Sequence, residues 1–418
     1  MLTVRKLLPV LILLLISPLV HAQPEWDWKY SDTCMVFSMA VNDRGYVATG
    51  FGYDVILISP TGKRVYKVPS RDFAYSIAIS ENNYVLAGTR GFYVQLFDPH
   101  GKLAFEYKTG NQVWAVAISP DAEEFVAGSN DGWLYFFRGK KVVWKADTGA
   151  PIWGVYLGRE VYAGNDAGLV VAYSLNGTRL WEKNLGGRVW RLKSDGKHIA
   201  ALVLHTGQGV TSDVYLLDGN GIVLWSRHFD DYVRDVSIHD GRVAVSGDIG
   251  SIDLFSLNGT QIYQFPAFSP FWDVATRRGY VLAGGGGRDA VLLSPNGTPV
   301  WYFQDNRSVS VVAMSPSGRY LAVADRTFQT VNCQGTVYFQ TLFKGSGGTS
   351  STATNTTETS PSFSSSPSAG QTTSSTTQTP TPHNSSESGK GLSGHAAEIG
   401  LGLAALILIA LLWREIRE

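Results

Sequence analysis

Residues 161–187 read VYAGNDAGLVVAYSLNGTRLWEKNLGG, and the rest of the chain repeats their grammar. The pattern predicts a short strand at 161–164, a turn at Asn165-Asp166-Ala167-Gly168 and a second strand at 169–175. A hairpin turn follows at Asn176-Gly177, then a third strand at 178–183. Asn and Gly accept the positive φ of tight hairpins, while the flanking β-branched and aromatic residues fit a pleated sheet. A three-stranded meander cannot cover its two apolar faces alone, so it calls for copies of itself.

The copies are present. A fixed position one strand upstream holds Phe37, Tyr75, Trp114, Trp153, Trp190, Arg234, Trp272 and Ser310, at intervals of 38, 39, 39, 37, 44, 38 and 38 residues. In each unit an inner strand (residues 113–119, for example) leads through a Pro/Asp/Gly turn to a second strand. That strand often ends in Ala-Gly, as at Ala87-Gly88, Ala127-Gly128, Ala163-Gly164 and Ala283-Gly284. A third strand and a Gly turn precede an outer strand that often carries Trp: Trp144, Trp181, Trp225 and Trp301. Four antiparallel strands per unit without helical periodicity predict an all-β fold, an eight-bladed β-propeller over residues 23–344. Residues 26–30 look like a ninth outer strand, which either clasps the last blade or lies beside residues 336–341.

Residues 161–187, and again 125–149 (FVAGSNDGWLYFFRGKKVVWKADTG), resemble the repeats of quinoprotein-type (PQQ-like) eight-bladed propellers, a resemblance covering roughly residues 31–343. It implies the fold and one of two roles, quinone-dependent dehydrogenase or non-catalytic scaffold. One scaffold of that kind is the lipoprotein that helps assemble outer-membrane β-barrels. The dehydrogenases combine a calcium site, a general-base Asp and often adjacent cysteines. This chain has only Cys34 and Cys333, and no calcium-ligand set maps onto it. The resemblance therefore points to the scaffold branch, with no cofactor. WD-repeat propellers are a second resemblance, although Trp-Asp occurs only at Trp26-Asp27 and Trp272-Asp273, away from the end of a third strand.

The ends suggest an address. Residues 1–22 have the basic start, apolar core and small-residue cleavage site of a secretory signal. Residues 345–395 are rich in Ser, Thr, Pro and Gly, a composition that cannot bury a core and predicts a disordered stalk. Residues 396–413 are a hydrophobic helix by composition, followed by the short basic tail 414–418. The helix reads either as a short membrane anchor or as a sorting signal exchanged for a lipid. Both place the propeller outside the cell, tethered to its surface. With 35 basic and 35 acidic residues the chain is neutral, which argues against a nucleic-acid partner.

The candidate binding residues are Tyr75, Trp114, Trp153, Trp190 and Trp272 with Arg191, Arg234, Asp235 and Asp273, near the starts of the inner strands. They would ring the channel mouth and hold a ligand by stacking and hydrogen bonds. The competing reading is wedge packing, because small residues (Ser76, Ala78, Ala115, Ala117) alternate with the large ones. Arg234 and Ser310 break the aromatic series and would open the rim there. The outer-strand Trp residues read as packing.

Other chemistry is weaker. Residues 284–287 are a glycine run without a following helix, read as a flexible connecting turn. The histidines His198, His205, His228 and His239 lack metal-ligand spacing, so no metal site is expected. No Gly-x-Ser-x-Gly elbow occurs, and no catalytic residue is assigned. An insertion, LHTGQGVTSD at 204–213, accounts for the 44-residue interval. Cys34 and Cys333 are a candidate disulfide, but strand register places them on opposite faces of the disc. N-glycosylation acceptors are Asn176, Asn258, Asn296, Asn306, Asn355 and Asn384, the first three on one hairpin turn and Asn306 on the opposite face. The expectation is a binding or scaffolding module for an envelope protein or a glycan. A quinone-dependent dehydrogenase or a solute-binding ectodomain is the alternative, and oligomeric state has no signature.

Overall fold

The computed structural model describes residues 22–343, except 208, 268 and 327–332. The signal, stalk, terminal helix and tail, with Asn355 and Asn384, lie outside these residues. Among the described residues no helix is long and apolar enough to cross a membrane.

The described strands form eight four-stranded antiparallel sheets. Their inner strands are Val36–Val41, Ala74–Ile79, Val113–Ile118, Ile152–Leu157, Arg188–Ser194, Val233–His239, Phe271–Arg277 and Ser308–Met314, which define blades 1 to 8. Each inner strand packs beside that of the next blade, and the last packs beside the first, closing a ring. In the stretch that predicted the fold, the strands are Glu160–Asn165, Leu169–Ser174 and Arg179–Asn184.

Blade 8 supplies only three strands from the C-terminal end of the ring: Ser308–Met314, Tyr320–Arg326 and Gln334–Thr341. Its outer strand is Trp28–Thr33, antiparallel to Gln334–Thr341, with Trp28 opposite Phe339 and Thr33 opposite Gln334. The N-terminal strand is thus the eighth outer strand rather than a ninth. Without it, the edge of Gln334–Thr341 would stand unpaired.

The core is divided among the blade boundaries. Each apolar cluster joins two neighbours, as Val126, Leu134 and Phe136 of blade 3 pack with Ile152, Val161 and Tyr173 of blade 4. The cluster of blades 1 and 8 closes the ring in the same way. The second-strand Ala-Gly pairs follow from this packing. A Cβ on Gly88 would approach Val113 to 2.7 Å, and one on Gly164 would approach Val189 to 2.5 Å, so glycine sets how closely blades meet. The 284–287 run is similarly crowded, not a loose connector. Gly284 and Gly285 end a strand, and a Cβ on Gly286 would overlap the Trp272 indole.

Strand direction sorts the turns onto two faces. The starts of the inner strands share one face with the connections between second and third strands. The hairpins between third and fourth strands lie on the other. Asn176, Asn258 and Asn296 are exposed on that second face, and Asn306 is exposed on the first. The insertion is a lengthened hairpin rather than a loop: His198–Thr206 and Val210–Asp218 stay paired out to Thr206 and Val210, rising from the first face.

Candidate functional site: the channel mouth

Each of the eight repeat positions is the extra residue of a β-bulge. The ladder slips at Phe37, Tyr75, Trp114 and Trp153, and again at Trp190, Arg234, Trp272 and Ser310. A bulge turns a side chain out of the strict alternation of a strand. Here it aims a large residue at the channel axis from most blades.

The rings overlap in sequence around the mouth. Phe37 and Tyr75 have centroids 6.0 Å apart, Tyr75 and Trp114 4.5 Å, Trp114 and Trp153 4.8 Å, and Trp153 and Trp190 4.7 Å. Beyond Trp190 the Arg191 guanidinium lies 4.8 Å from that ring, and Arg234 lies 5.9 Å from Trp272. Arg234 therefore continues the collar by cation–π contact. Asp248 fixes it with two charge-assisted hydrogen bonds, from Nε at 2.6 Å and Nη2 at 2.8 Å.

The collar encloses a cavity of about 450 Å³ lined by Tyr75, Trp114, Trp153, Trp190, Arg191, Trp272 and Asp273, with Phe37 and Ser310 completing the ring. Arg234, although it contacts the Trp272 ring, is not part of this lining, and neither is Asp235, which was also expected at the rim. The collar residues pack on one another at the mouth, while Val and Ile side chains set against second-strand glycines pack the wedge between blades.

One residue past each bulge, several side chains tie neighbouring inner strands together. Inner strands of different blades share no ladder, so their backbone N–H groups need other acceptors. Val116 N–H donates to Ser76 Oγ at 3.1 Å, Val274 N–H to Asp235 Oδ2 at 3.1 Å, and Val312 N–H to Asp273 Oδ2 at 2.8 Å. Asp235 is buried and pairs with Arg191 at 3.2 Å. Burial, then the neighbouring Asp235 carboxylate, push Asp273 well above the usual carboxylate range. Asp273 is thus biased toward its protonated form, and each of the two acids is bonded to the next blade.

Sequence reasoning missed the partners of this collar. Asp166 accepts from Trp153 Nε1 at 2.9 Å and pairs with Arg188, although its Asn-Asp context looked like ordinary turn chemistry. The lengthened hairpin of blade 5 carries a second cluster on the same face. Asp213 bridges His205 Nε2 at 2.8 Å and His228 Nδ1 at 2.7 Å, and this contact raises the His228 pKa above its ordinary value. Among the described residues no group of three or more His, Cys, Asp or Glu side chains could hold a metal ion.

The cysteines correct an expectation. Cys34 follows the N-terminal strand and Cys333 precedes the strand paired to it, so both lie on the collar face, and Cys34 N–H donates to the Cys333 carbonyl at 2.8 Å. The sequence register had put Cys333 at the far end of its strand. It sits before the start, next to Gln334, the first residue of that strand.

With this geometry in place, comparison with known proteins is specific about architecture. Residues 101–138 match the WD40 family (WD domain, G-beta repeat). The chain is a β-propeller repeat protein. The match spans the outer strand of blade 2 and three strands of blade 3, so it covers one repeat of the ring and falls on the second of the two family resemblances. No curated protein matches the chain. Among solved structures, the computationally designed Ika8 protein is similar with a TM-score of 0.62 and 14% identity, over 74% of this chain and 98% of that one. At that identity the likeness concerns the fold alone.

Proposed function

We propose that this protein is a non-catalytic binding module, presented at the cell surface, that docks a partner protein on its collar face. WD40-type propellers generally mediate protein interactions, and the scaffold branch of quinoprotein-type propellers carries the same reading. The observation that carries it is the concentration of distinct chemistry on one face. The bulge-borne aromatics, Arg191, Arg234 and the raised hairpin with its His205–Asp213–His228 group all occupy the face that three of the Asn-x-Ser/Thr turns leave free.

The collar favours a protein over a glycan. Sugar recognition uses open aromatic faces. Tyr75 and Trp114 lie only 17° from parallel and cover each other, leaving ring edges and Arg191 toward the cavity. Edges and guanidinium groups suit the carbonyl and carboxylate groups of a partner chain.

Val210, on the hairpin, is 38% exposed, and Ile222, on a third-to-fourth-strand hairpin of the opposite face, is 61% exposed. The full-length chain is purified from its source membranes as wild type, Val210→Asp and Ile222→Asp, and co-purifying protein is quantified per chain. Loss of one stoichiometric partner from Val210→Asp alone supports the reading. Equal retention by both variants, or loss only from Ile222→Asp, sinks it.

A further inference from the structure

The channel continues below the collar. Its lower section, about 390 Å³, opens on the face opposite the aromatic ring and is walled by the ends of the inner strands. Most of that wall is aliphatic: Val41, Ile79, Ile118 and Leu157 are representative. The charged residues among those lining it are Lys193, Asp273 and Arg277.

Among the described residues neither cation makes an ion pair. Arg277 Nη1 donates to the neighbouring Thr276 carbonyl at 2.7 Å, while its Nε is buried without a partner. Burial holds its pKa below the ordinary guanidinium value, and Asp43 and Asp240 act on it only from a distance. A guanidinium nonetheless keeps its proton in any folded protein. Lys193 is exposed to the channel and, among the described residues, makes no ion pair or side-chain hydrogen bond. Asp273 acts on Lys193 electrostatically, but burial and the adjacent Asp235, itself paired with Arg191, favour its protonated form.

A buried cation without an ion-pair partner, as at Arg277, is costly, and the walls of a cleft focus the field of both cations into the cavity. Such a site is stabilised by an anion. The two cations come from blades 5 and 7 and reach the same cavity from different sides, so the complementary charge is divided rather than single. The volume is that of a small-molecule site. From this geometry we propose that the lower channel is a binding site for a small organic dianion, a dicarboxylate or a phosphate ester, held between Lys193 and Arg277. Carboxylate and phosphate share the charged oxygens the site would recognise, and a guanidinium suits both.

The test is calorimetric titration of the full-length chain in low-chloride buffer, with succinate and inorganic phosphate as probes and glucose as the neutral control. Saturable binding of either anion, with none for glucose, is expected. Succinate alone would mark a carboxylate site, and phosphate alone a phosphate site. Lys193→Met, at an exposed position, and Arg277→Met should each weaken that binding by roughly tenfold or more, with Arg277→Lys retaining part of it. Lys193→Met keeps the test decisive even where Arg277→Met fails to fold. Absence of saturable binding by both anions, or binding that survives Lys193→Met unchanged, overturns the proposal.

Discussion

The indole of Trp144, on the outer strand of blade 3, lies over Gly177 in the third-to-fourth-strand turn of blade 4, and its Nε1–H donates to the Leu175 carbonyl at 3.2 Å. The relationship recurs around the ring. Trp181 sits on Gly221 and bonds to the Gly219 carbonyl at 2.8 Å, Trp225 on Gly259 and the Leu257 carbonyl at 3.1 Å, and Trp28 on Gly62 and the Pro60 carbonyl at 3.0 Å. The outer-strand aromatic of one blade thus latches the hairpin of the next.

Gly177 is therefore constrained twice. Its φ is +88°, and a Cβ would sit 2.8 Å from Trp144 Cγ. Gly177→Ala should cost about 2–4 kcal/mol by combining backbone strain with overpacking. Gly139, at φ +54° with no atom within 4 Å of its would-be Cβ, should carry strain alone, about 1 kcal/mol as alanine. Urea unfolding of the two variants checks the difference, and equal costs would remove the latch from the account.

Ring closure depends on the N-terminal strand. Trp28 stacks on Phe339 with centroids 4.7 Å apart and planes 8° apart, besides bonding to blade 1. Trp28→Ala should cost about 3–5 kcal/mol, as for other packed aromatics. Hydrogen exchange should quicken first in Gln334–Thr341 and in blade 1. Uniform quickening around the ring would contradict a local clasp.

Blade 8 also predicts a pH dependence. Burial and the Asp305 carboxylate push Asp325 up to about 7. Its Oδ1 accepts from Thr336 N–H at 2.7 Å, and Arg307 Nη2 lies 2.9 Å from Oδ2 without the alignment of a hydrogen bond. The extra proton on Asp325 is held beside the Asp305 carboxylate. Although burial raises Asp305, the Tyr338 hydroxyl at 2.6 Å and this proton hold it below its ordinary value.

The folded-state pKa of Asp325 exceeds its unfolded value, so the folded chain binds the extra proton more tightly. Stability from this group is full below about pH 4 and is lost as pH rises toward 7, at no more than about 1.4 kcal/mol per pH unit for one proton. Asp305 has the opposite slope, confined to lower pH. Asp325→Asn should flatten the decline between pH 5 and 7 without abolishing it, because Asp273 contributes a slope of the same sign. Denaturation midpoints across that range check it, and an unchanged slope contradicts it.

Cys34 and Cys333 continue the ladder past the opposed pair Thr33 and Gln334. Opposed residues of an antiparallel pair lie about 4.5–5.5 Å apart at Cα, within disulfide range. Mild oxidation of the full-length chain should link them, detectable as a cross-linked peptide by mass spectrometry. The bridge would stabilise the closed ring by up to about 5 kcal/mol in the chain-entropy model. Thiols that stay free under oxidant would show that the side chains diverge.

The repeat was legible because strand alternation and Asn-Gly turns are local signals. Residues 161–187 gave three strands to within a residue or two at each boundary. The collar series was legible as a period, but its bulges were not. A bulge depends on register with the second strand, which one strand cannot reveal. The cysteines were misplaced for a related reason, since the outer strand of blade 8 comes from the other end of the chain. The ions escaped because their meaning is set by neighbours distant in sequence. Arg277 looks like any strand-end arginine until the ring places it in the channel without an ion-pair partner. Asp166 and Asp248 look like turn residues until they meet Trp153 and Arg234.

The most direct test of the collar face as the docking surface is site-specific photo-crosslinking in source membranes, with the probe at Val210 or at Ile222 of the full-length chain. The account predicts one dominant protein adduct from position 210, abolished when Trp190 is also replaced by alanine, and none from 222. The same adduct from 222, or an adduct from 210 indifferent to Trp190→Ala, would contradict it.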